Sequence, residues 1–253
     1  MSLLSVENVT ISFGGITAVS DVSLVVERNS LLGFIGPNGA GKTTLMRIIT
    51  GVLRPEAGRV VFGGQDVTRW PVDRRIGRGM ALAQQIVRPM RTLNILDNVA
   101  LAAGAARMAS PWAAFLHTSR QAERTRAEDL LTMVGLGDAT DAMPGELPLG
   151  ALKRLEVARA LALEPKLLLL DEPLAGLNQT EARAMADLIA DLAGNGRSVL
   201  LIEHNIKEVA RICPALYVQD NGRHLLQGPT AEVMAAPELR RAYLGAHFDR
   251  EAV

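Results

Sequence analysis

The apolar positions change period along the chain, and each change marks a different kind of element. Residues 3–9 (LLSVENV) and 22–26 (VSLVV) are short runs separated by Gly14-Gly15, a pattern that predicts two strands near the N-terminus. Residues 31–35 (LLGFI) are apolar throughout, as a strand buried on both faces must be. A Gly/Pro/Asn stretch comes next, and then Leu45, Ile48 and Ile49 recur at helical spacing until Gly51 stops them. The order is therefore strand, loop, helix. Residues 58–62 (GRVVF), with Gly63-Gly64 behind them, predict a hairpin strand and its turn. From Ile86 to Pro148 the β-branched runs vanish and alanines gather at 102, 103, 105, 106, 113 and 114, which predicts an inserted helical subdomain. Beyond it the pattern alternates: helix 151–163, buried strand 167–170, helix 180–192, strand 198–202, and a short helix from Asn205. Such alternation predicts a parallel α/β sheet with helices on both faces. Residues 218–244 supply a last hairpin and an amphipathic helix ending at Tyr243-Leu244-Gly245.

Composition narrows the function more than the fold. The chain carries 27 Lys+Arg against 27 Asp+Glu over 253 residues, so it lacks the basic excess of a free-standing nucleic-acid binder. Its basic pairs, Arg74-Arg75 and Lys153-Arg154, read as solvated faces. One cysteine, Cys213, excludes a disulfide framework or a multi-cysteine metal site and suits a reducing cytosol. The N-terminus has no basic segment followed by a long apolar run, so no signal peptide is expected. The most span-like stretch, 99–116, is broken by Arg107, Ser110 and Pro111 and falls short of the roughly 20 apolar residues a bilayer requires. A mean hydropathy of +0.16 is nevertheless high, and attachment to a membrane partner accounts for it as well as buried helices and strands do.

Two motifs carry chemistry. Gly36-Pro37-Asn38-Gly39-Ala40-Gly41-Lys42-Thr43 fits the phosphate-binding loop and stands between a buried strand and a helix, where that mechanism needs it. Glycines let successive N–H groups converge on phosphate, the helix N-terminus adds partial positive charge, Lys42 reaches the β/γ-phosphates and the Thr43 hydroxyl can ligate Mg²⁺. Thr44 is next, within reach of the α-phosphate. Leu167 to Leu170 lead into Asp171-Glu172, a buried strand ending in two carboxylates with different roles. Asp171 would hold Mg²⁺ through its water shell, and Glu172 would polarise the water attacking the γ-phosphate. Lys42 and Asp171 lie 129 residues apart (171 − 42), far more than one βαβ unit, and the helical subdomain fits between them.

With that insertion the chain resembles an ATP-binding-cassette ATPase, and the family's other landmarks are found residue by residue. Phe13 stands where the family places an aromatic on adenine, and Gln85 matches the glutamine that links nucleotide, Mg²⁺ and subdomain. Residues 147–151 (LPLGA) and the helix after them resemble the family's signature, with Leu147 and Gly150 matching and Pro148, Leu149 and Ala151 departing from the usual Leu-Ser-Gly-Gly-Gln. Asn178 stands where Asp is common in the loop that crosses the dimer interface, and His204 matches the switch histidine at the γ-phosphate. His117, His224 and His247 match no motif. The resemblance implies a P-loop ATPase core with an N-terminal antiparallel β-subdomain: one domain over 1–253, with 1–85 and 164–253 as core and β-subdomain and 86–163 as helical subdomain. It also implies ATP and Mg²⁺ as cofactors, with Lys42, Gln85, Glu172 and His204 as catalytic residues.

Phe13-Gly14-Gly15, residues 94–99 (NILDNV), the Leu-Pro-x-Gly signature, residues 201–205 (LIEHN) and 242–245 (AYLG) are similar to the ATPases of branched-chain amino acid importers. The length of the stretch 99–126, with Met108, Trp112 and Phe115, resembles the larger of the two ATPases such importers carry. The resemblance implies a peripheral protein on the cytoplasmic face of the inner membrane. Its implied partners are two permeases, a second ATPase in a head-to-tail heterodimer or a second copy in a homodimer, and, indirectly, a solute-binding protein. The apolar surface from Leu96 to Phe115 is expected to receive a coupling helix. A cassette for another cargo, such as lipopolysaccharide export, stays open, as do a P-loop kinase and a DNA-maintenance ATPase at lower weight.

Overall fold

In the computed structural model, residues 2–105, 120–193 and 196–244 are described. The expectations for Ala106, Arg107, Met108, Ser110, Pro111, Ala113, Ala114, Trp112, Phe115, His117, Gly245 and His247 lie outside them. The N-terminal strands are longer than 3–9 and 22–26: β1 (Ser2–Phe13) and β2 (Ile16–Glu27) have twelve residues each. Along β2 the buried side chains Val22, Leu24 and Val26 alternate with exposed Ser23, Val25 and Glu27, the half-solvated pattern of an antiparallel sheet. Asn8 and Asp21, both at positive φ, meet across the pair through a 2.8 Å bond from Asn8 Nδ2 to Asp21 Oδ1. Asn8 stands at the register shift between the Val6 and Val9 pairs and Asp21 at the next, between the Val9 and Ile11 pairs, irregularities that let pairing run on through polar sequence. With β4 (Ala57–Phe62) and β5 (Gln65–Asp66) these strands form a sheet in the order β2-β1-β4-β5.

The second sheet holds β3 (Leu31–Ile35), β6 (Met80–Ala83), β7 (Leu167–Asp171), β8 (Ser198–Ile202), β9 (Ala215–Asp220) and β10 (Arg223–Pro229), in the order β10-β9-β3-β8-β7-β6. It is parallel from β6 to β9, with β10 antiparallel at one edge. Its alternate residues feed two cores. Leu32, Phe34, Leu167, Leu169, Leu200 and Ile202 join the antiparallel sheet and α1 (Lys42–Thr50), which lies between the layers. Leu31, Ile35, Leu168, Leu170, Val199 and Leu201 face the helices α3 (Ile95–Ala103), α4 (Gln121–Met133), α5 (Leu149–Leu161), α6 (Gln179–Leu192) and α7 (Ile206–Ile212). The tail ends in two helices, α8 (Thr230–Ala235) and α9 (Pro237–Leu244), divided where Pro237 forbids continuation.

The apolar pattern predicts nothing between Gly64 and Ile86, yet β5, α2 (Val72–Gly77) and β6 lie there. Each is six residues or fewer, too short to show a period. The solvated reading of Arg74-Arg75 holds for Arg74, which is exposed and lies over the Trp70 ring at 3.8 Å, and fails for Arg75, which is 1% exposed. Arg75 Nη1 donates to the carbonyls of Ile48 (2.7 Å) and Ile49 (2.5 Å), Nη2 to Thr68 (3.0 Å) and Nε to Trp70 (3.1 Å). A cation thus closes the negative end of α1. The expected docking face from Leu96 also needs correction in its described part, because Leu96, Val99 and Ala100 are buried in the core. Among the described residues of this region, Ile86, Met90, Met133 and Leu149 are the large apolar side chains that are exposed.

Candidate active site

The sheet delivers the chemistry to one edge. Parallel strands align their C-terminal ends, so the segments leaving β3, β7, β8, β9 and β6 converge there. After β3 comes the loop 36–41. A Cβ on Gly36 would collide with the Gln219 carbonyl oxygen at the end of β9, and one on Gly41 with the Ala18 carbonyl oxygen of β2. Only glycine lets the backbone lie this close, and Gly41 also takes φ +95 as it caps α1. The loop is tied from behind: the buried Gln219 Nε2 and the Gly222 N–H both donate to the Ala40 carbonyl, at 2.8 and 3.0 Å. No side chain caps α1 and no acid stands in its first turn, so its leading N–H groups suit an anion. Lys42 is buried and donates to the carbonyls of Gly36 (2.6 Å) and Pro37 (2.9 Å). Burial pulls its pKa down while Glu172 and Asp171 push it up. Asn38, Gly39 and Thr43 are exposed on the outer side, with Pro37 and Thr44 half-buried. This glycine cradle with its buried cation fits a nucleotide phosphate chain.

Asp171 ends β7, half-buried. Its carboxyl is raised above the usual range, chiefly by burial and then by Glu172, against Arg47, Lys42 and Lys153. Glu172 takes φ +51, outside the strand geometry, and its N–H donates to Ile202 O at 2.9 Å. The turn swings its carboxylate toward two side chains from neighbouring strand ends. Gln85, two residues past β6, donates from Nε2 to Glu172 Oε2, and His204 Nδ1 lies 3.8 Å from the same oxygen. The structure therefore brings Lys42, Gln85, Asp171, Glu172 and His204 together. Phe13 stands apart from the core at the tip of the β1–β2 hairpin, 47% exposed rather than packed inside.

Comparison with known proteins agrees with this geometry. The profile of the family described as ABC transporter matches residues 19–175. The chain belongs to the ABC transporter family. It is 33% identical to the lipopolysaccharide export system ATP-binding protein LptB of Haemophilus influenzae, over 98% of this chain and 99% of that protein. It is 34% identical to the high-affinity branched-chain amino acid transport ATP-binding protein LivG of Salmonella typhimurium, over 96% of this chain and 98% of that protein. Among solved structures it superposes on MJ1267, an ATP-binding cassette of an ABC transporter in its ADP conformation, with a TM-score of 0.85, 30% identity, and coverage of 97% and 99% of the two chains. As an ABC ATPase the chain binds and hydrolyses ATP as one subunit of a transporter that has membrane permease components. No helix among its described residues is long and apolar enough to cross a membrane.

In this ABC ATPase, Gly150 lines a cleft beside the start of α5, while Leu147 and Asn178 each stand one residue away in sequence from a lining residue, Pro148 and Leu177. The cleft measures about 240 Å³ and is lined by Pro148, Gly150, Ala151, Arg154, Leu177 and Glu181, among others. Leu147 packs on the core, and Gly150 sits against Glu181 with no room to spare. Pro148 occupies the N-cap position of α5 and supplies no side-chain acceptor, so the first-turn N–H groups of that helix stay open. Asn178 instead caps its own helix: its Oδ1 accepts from Glu181 N at 3.0 Å, and Glu181 Oε2 accepts from Asn178 N at 3.1 Å. Asn and Asp serve this reciprocal cap equally well, which is a physical reason for either at this position.

Two residues at the site escape the motif reading. Lys153, read as half of a solvated pair, is 5% exposed and donates from Nζ to the Glu172 carbonyl at 2.8 Å. Its pKa is drawn down by burial and held up by Glu203, Glu172 and Asp171. Helical spacing offered a signal, since 150, 153, 157 and 160 share the inward face of α5. Glu203, fully buried beside His204, accepts from Leu174 N at 2.6 Å and from His204 N at 3.1 Å. Burial raises its carboxyl, and those backbone donors oppose the rise. A lone acid directly after the apolar run 199–202 (VLLI) was the available sign.

Proposed function

We propose that this chain is the ATPase of an importer for branched-chain or related amino acids or amides, working from the cytoplasmic face of the inner membrane. Full-length similarity to LivG, together with the matching segments 94–99, 201–205 and 242–245, supports this cargo class. Similarity to LptB supports a second reading, lipopolysaccharide export.

The convergence of Lys42, Gln85, Glu172 and His204 supports the hydrolytic roles. ATP's phosphates lie over the loop 36–44, where N–H groups and Lys42 bind them, and Phe13 stacks on the adenine. Glu172 orients the attacking water and takes its proton, with Gln85 fixing the carboxylate and His204 facing the γ-phosphate. Thr43, Asp171 and Gln85 would hold Mg²⁺, which would supply charge neutralisation at the phosphates, few protein ligands being usual for this ion. Leu147, Gly150 and Asn178 face the nucleotide of a partner ATPase across a head-to-tail dimer, heteromeric or homomeric. The open N–H groups of α5 then meet that γ-phosphate without a serine hydroxyl. Residues 86–163 move as a unit against 1–85 and 164–253, passing nucleotide state to two permeases and, through them, to a solute-binding protein.

The test purifies the tagged chain from detergent-solubilised membranes and assays ATP turnover and leucine uptake for wild type and Glu172→Gln. Recovery of two permeases and a second ATPase, with both activities lost in the variant, supports the proposal. Recovery with a lipopolysaccharide-export complex and intact uptake refutes the cargo; unchanged turnover refutes the base.

A further inference from the structure

We infer that Lys153 is a positioning residue that sets the Glu172 carboxylate from the inserted helical segment. The inference rests on the reading of Glu172 as the hydrolytic base. Glu172 holds a left-handed backbone, a conformation that is sterically unfavourable for a non-glycine residue, so its surroundings must impose it. Three elements do so. The β8 carbonyl of Ile202 takes its N–H; Ala175 N, from the same turn, donates to its carbonyl at 3.2 Å; and Lys153 Nζ, reaching across from α5, donates to that carbonyl at 2.8 Å. Glu203 clamps the turn two residues on through Leu174 N.

Among these anchors Lys153 alone comes from outside the sheet and its adjoining turn. It stands one turn into the helix that begins at the signature residues, so a shift of α5 pulls on the peptide that aims Glu172 at Gln85 and His204. A buried lysine among three carboxylates is an uneconomical packing choice if it does nothing but fill space. A flexible ammonium on a four-carbon stem can track the carbonyl over a small helix movement, which suits it to transmit displacement.

The experiment measures kcat, KM and ATP affinity in the purified complex for Lys153→Met, Lys153→Arg, Glu172→Gln and the double variant Lys153→Met/Glu172→Gln. Misplacing a catalytic group by about 1 Å costs on the order of 100-fold, so Lys153→Met is expected to lower kcat by about 10- to 100-fold with ATP affinity within about threefold. Lys153→Arg, which keeps a donor, recovers most of the rate. The double variant is no slower than Glu172→Gln alone, because both changes act through one group. Should Lys153→Met fail to fold, Lys153→Leu, which also lacks a donor, is read in the same way. Unchanged kcat in Lys153→Met, parallel loss of rate and ATP affinity in both Met and Arg variants, or additive losses in the double variant overturns the inference. Full turnover in Glu172→Gln overturns the base assignment and the positioning role with it, whereas a dead Glu172→Gln beside an active Lys153→Met overturns only the latter.

Discussion

Replacing Arg75 by Met tests how far the phosphate-loop helix depends on a residue remote from the phosphate. Four bonds from the guanidinium to carbonyl oxygens disappear. Bonds to a charged group are worth about 1.5–3 kcal/mol each, so the gross loss is of order 6–12 kcal/mol. Two effects oppose it. Burial holds the guanidinium at about 10 against an ordinary 12.5, and relieving that strain returns about 3 kcal/mol. Ile48 O also keeps the Gly51 N–H as a partner at 3.1 Å, which leaves Ile49, Thr68 and Trp70 as the exposed deficits. The expected net destabilisation is about 3–5 kcal/mol, a large part of the total for one domain. Urea unfolding followed by tryptophan fluorescence reads it directly, with Trp70 beside the site. Arg75→Lys should fall between the two, since an ammonium cannot span all four carbonyls. Saturating ATP should recover part of the loss, because it binds only the folded chain. A destabilisation below about 1 kcal/mol for Arg75→Met would refute the claim that these bonds outweigh the cost of burying the charge.

Other perturbations discriminate equally well. Asn178→Ala removes the Oδ1 acceptor of the reciprocal cap, keeping only the bond from its backbone N–H to Glu181, and should lower stability by about 1 kcal/mol in thermal unfolding, while Asn178→Asp stays near wild type; equal stability of all three contradicts the capping role. Gly41→Ala, at φ +95 and against the Ala18 carbonyl, should weaken ATP binding at least tenfold, whereas Gly39→Ala, at φ +81 in open space, carries only a backbone cost of about 1–2 kcal/mol; matched affinities for the two would undo the close-approach argument. Glu203 has a raised folded pKa, so the folded chain holds its proton more firmly than the unfolded chain, and its contribution to stability falls as pH climbs from 4.5 toward the folded value. The melting temperature of Glu203→Gln relative to wild type should therefore rise between pH 4 and pH 7; a relative fall would reverse the sign.

Local chemistry was legible in the sequence wherever one short segment carries the whole cause. The loop from Gly36 to Thr43 is read from its glycines and lysine because turn, helix start and cation lie within eight consecutive residues. Strands 31–35 and 198–202 appear with their bounds because a strand buried on both faces reads as a near-continuous apolar run, LLGFI in the first and VLLI after Ser198 in the second. The long β1–β2 hairpin did not, since its outer face is largely polar and its pairing runs through successive register shifts at Asn8 and Asp21. Tertiary structure alone decided that β8 lies between β3 and β7, which places Glu203 and His204 between the phosphate loop and the carboxylates. It also decided which charges are buried. Arg75 and Lys153 sit in sequence beside Arg74 and Arg154 and look no different from them; what separates each pair is the set of carbonyls that distant segments bring within hydrogen-bond reach. A buried cation is stable only where such acceptors converge, and convergence is a property of the fold rather than of any stretch of sequence.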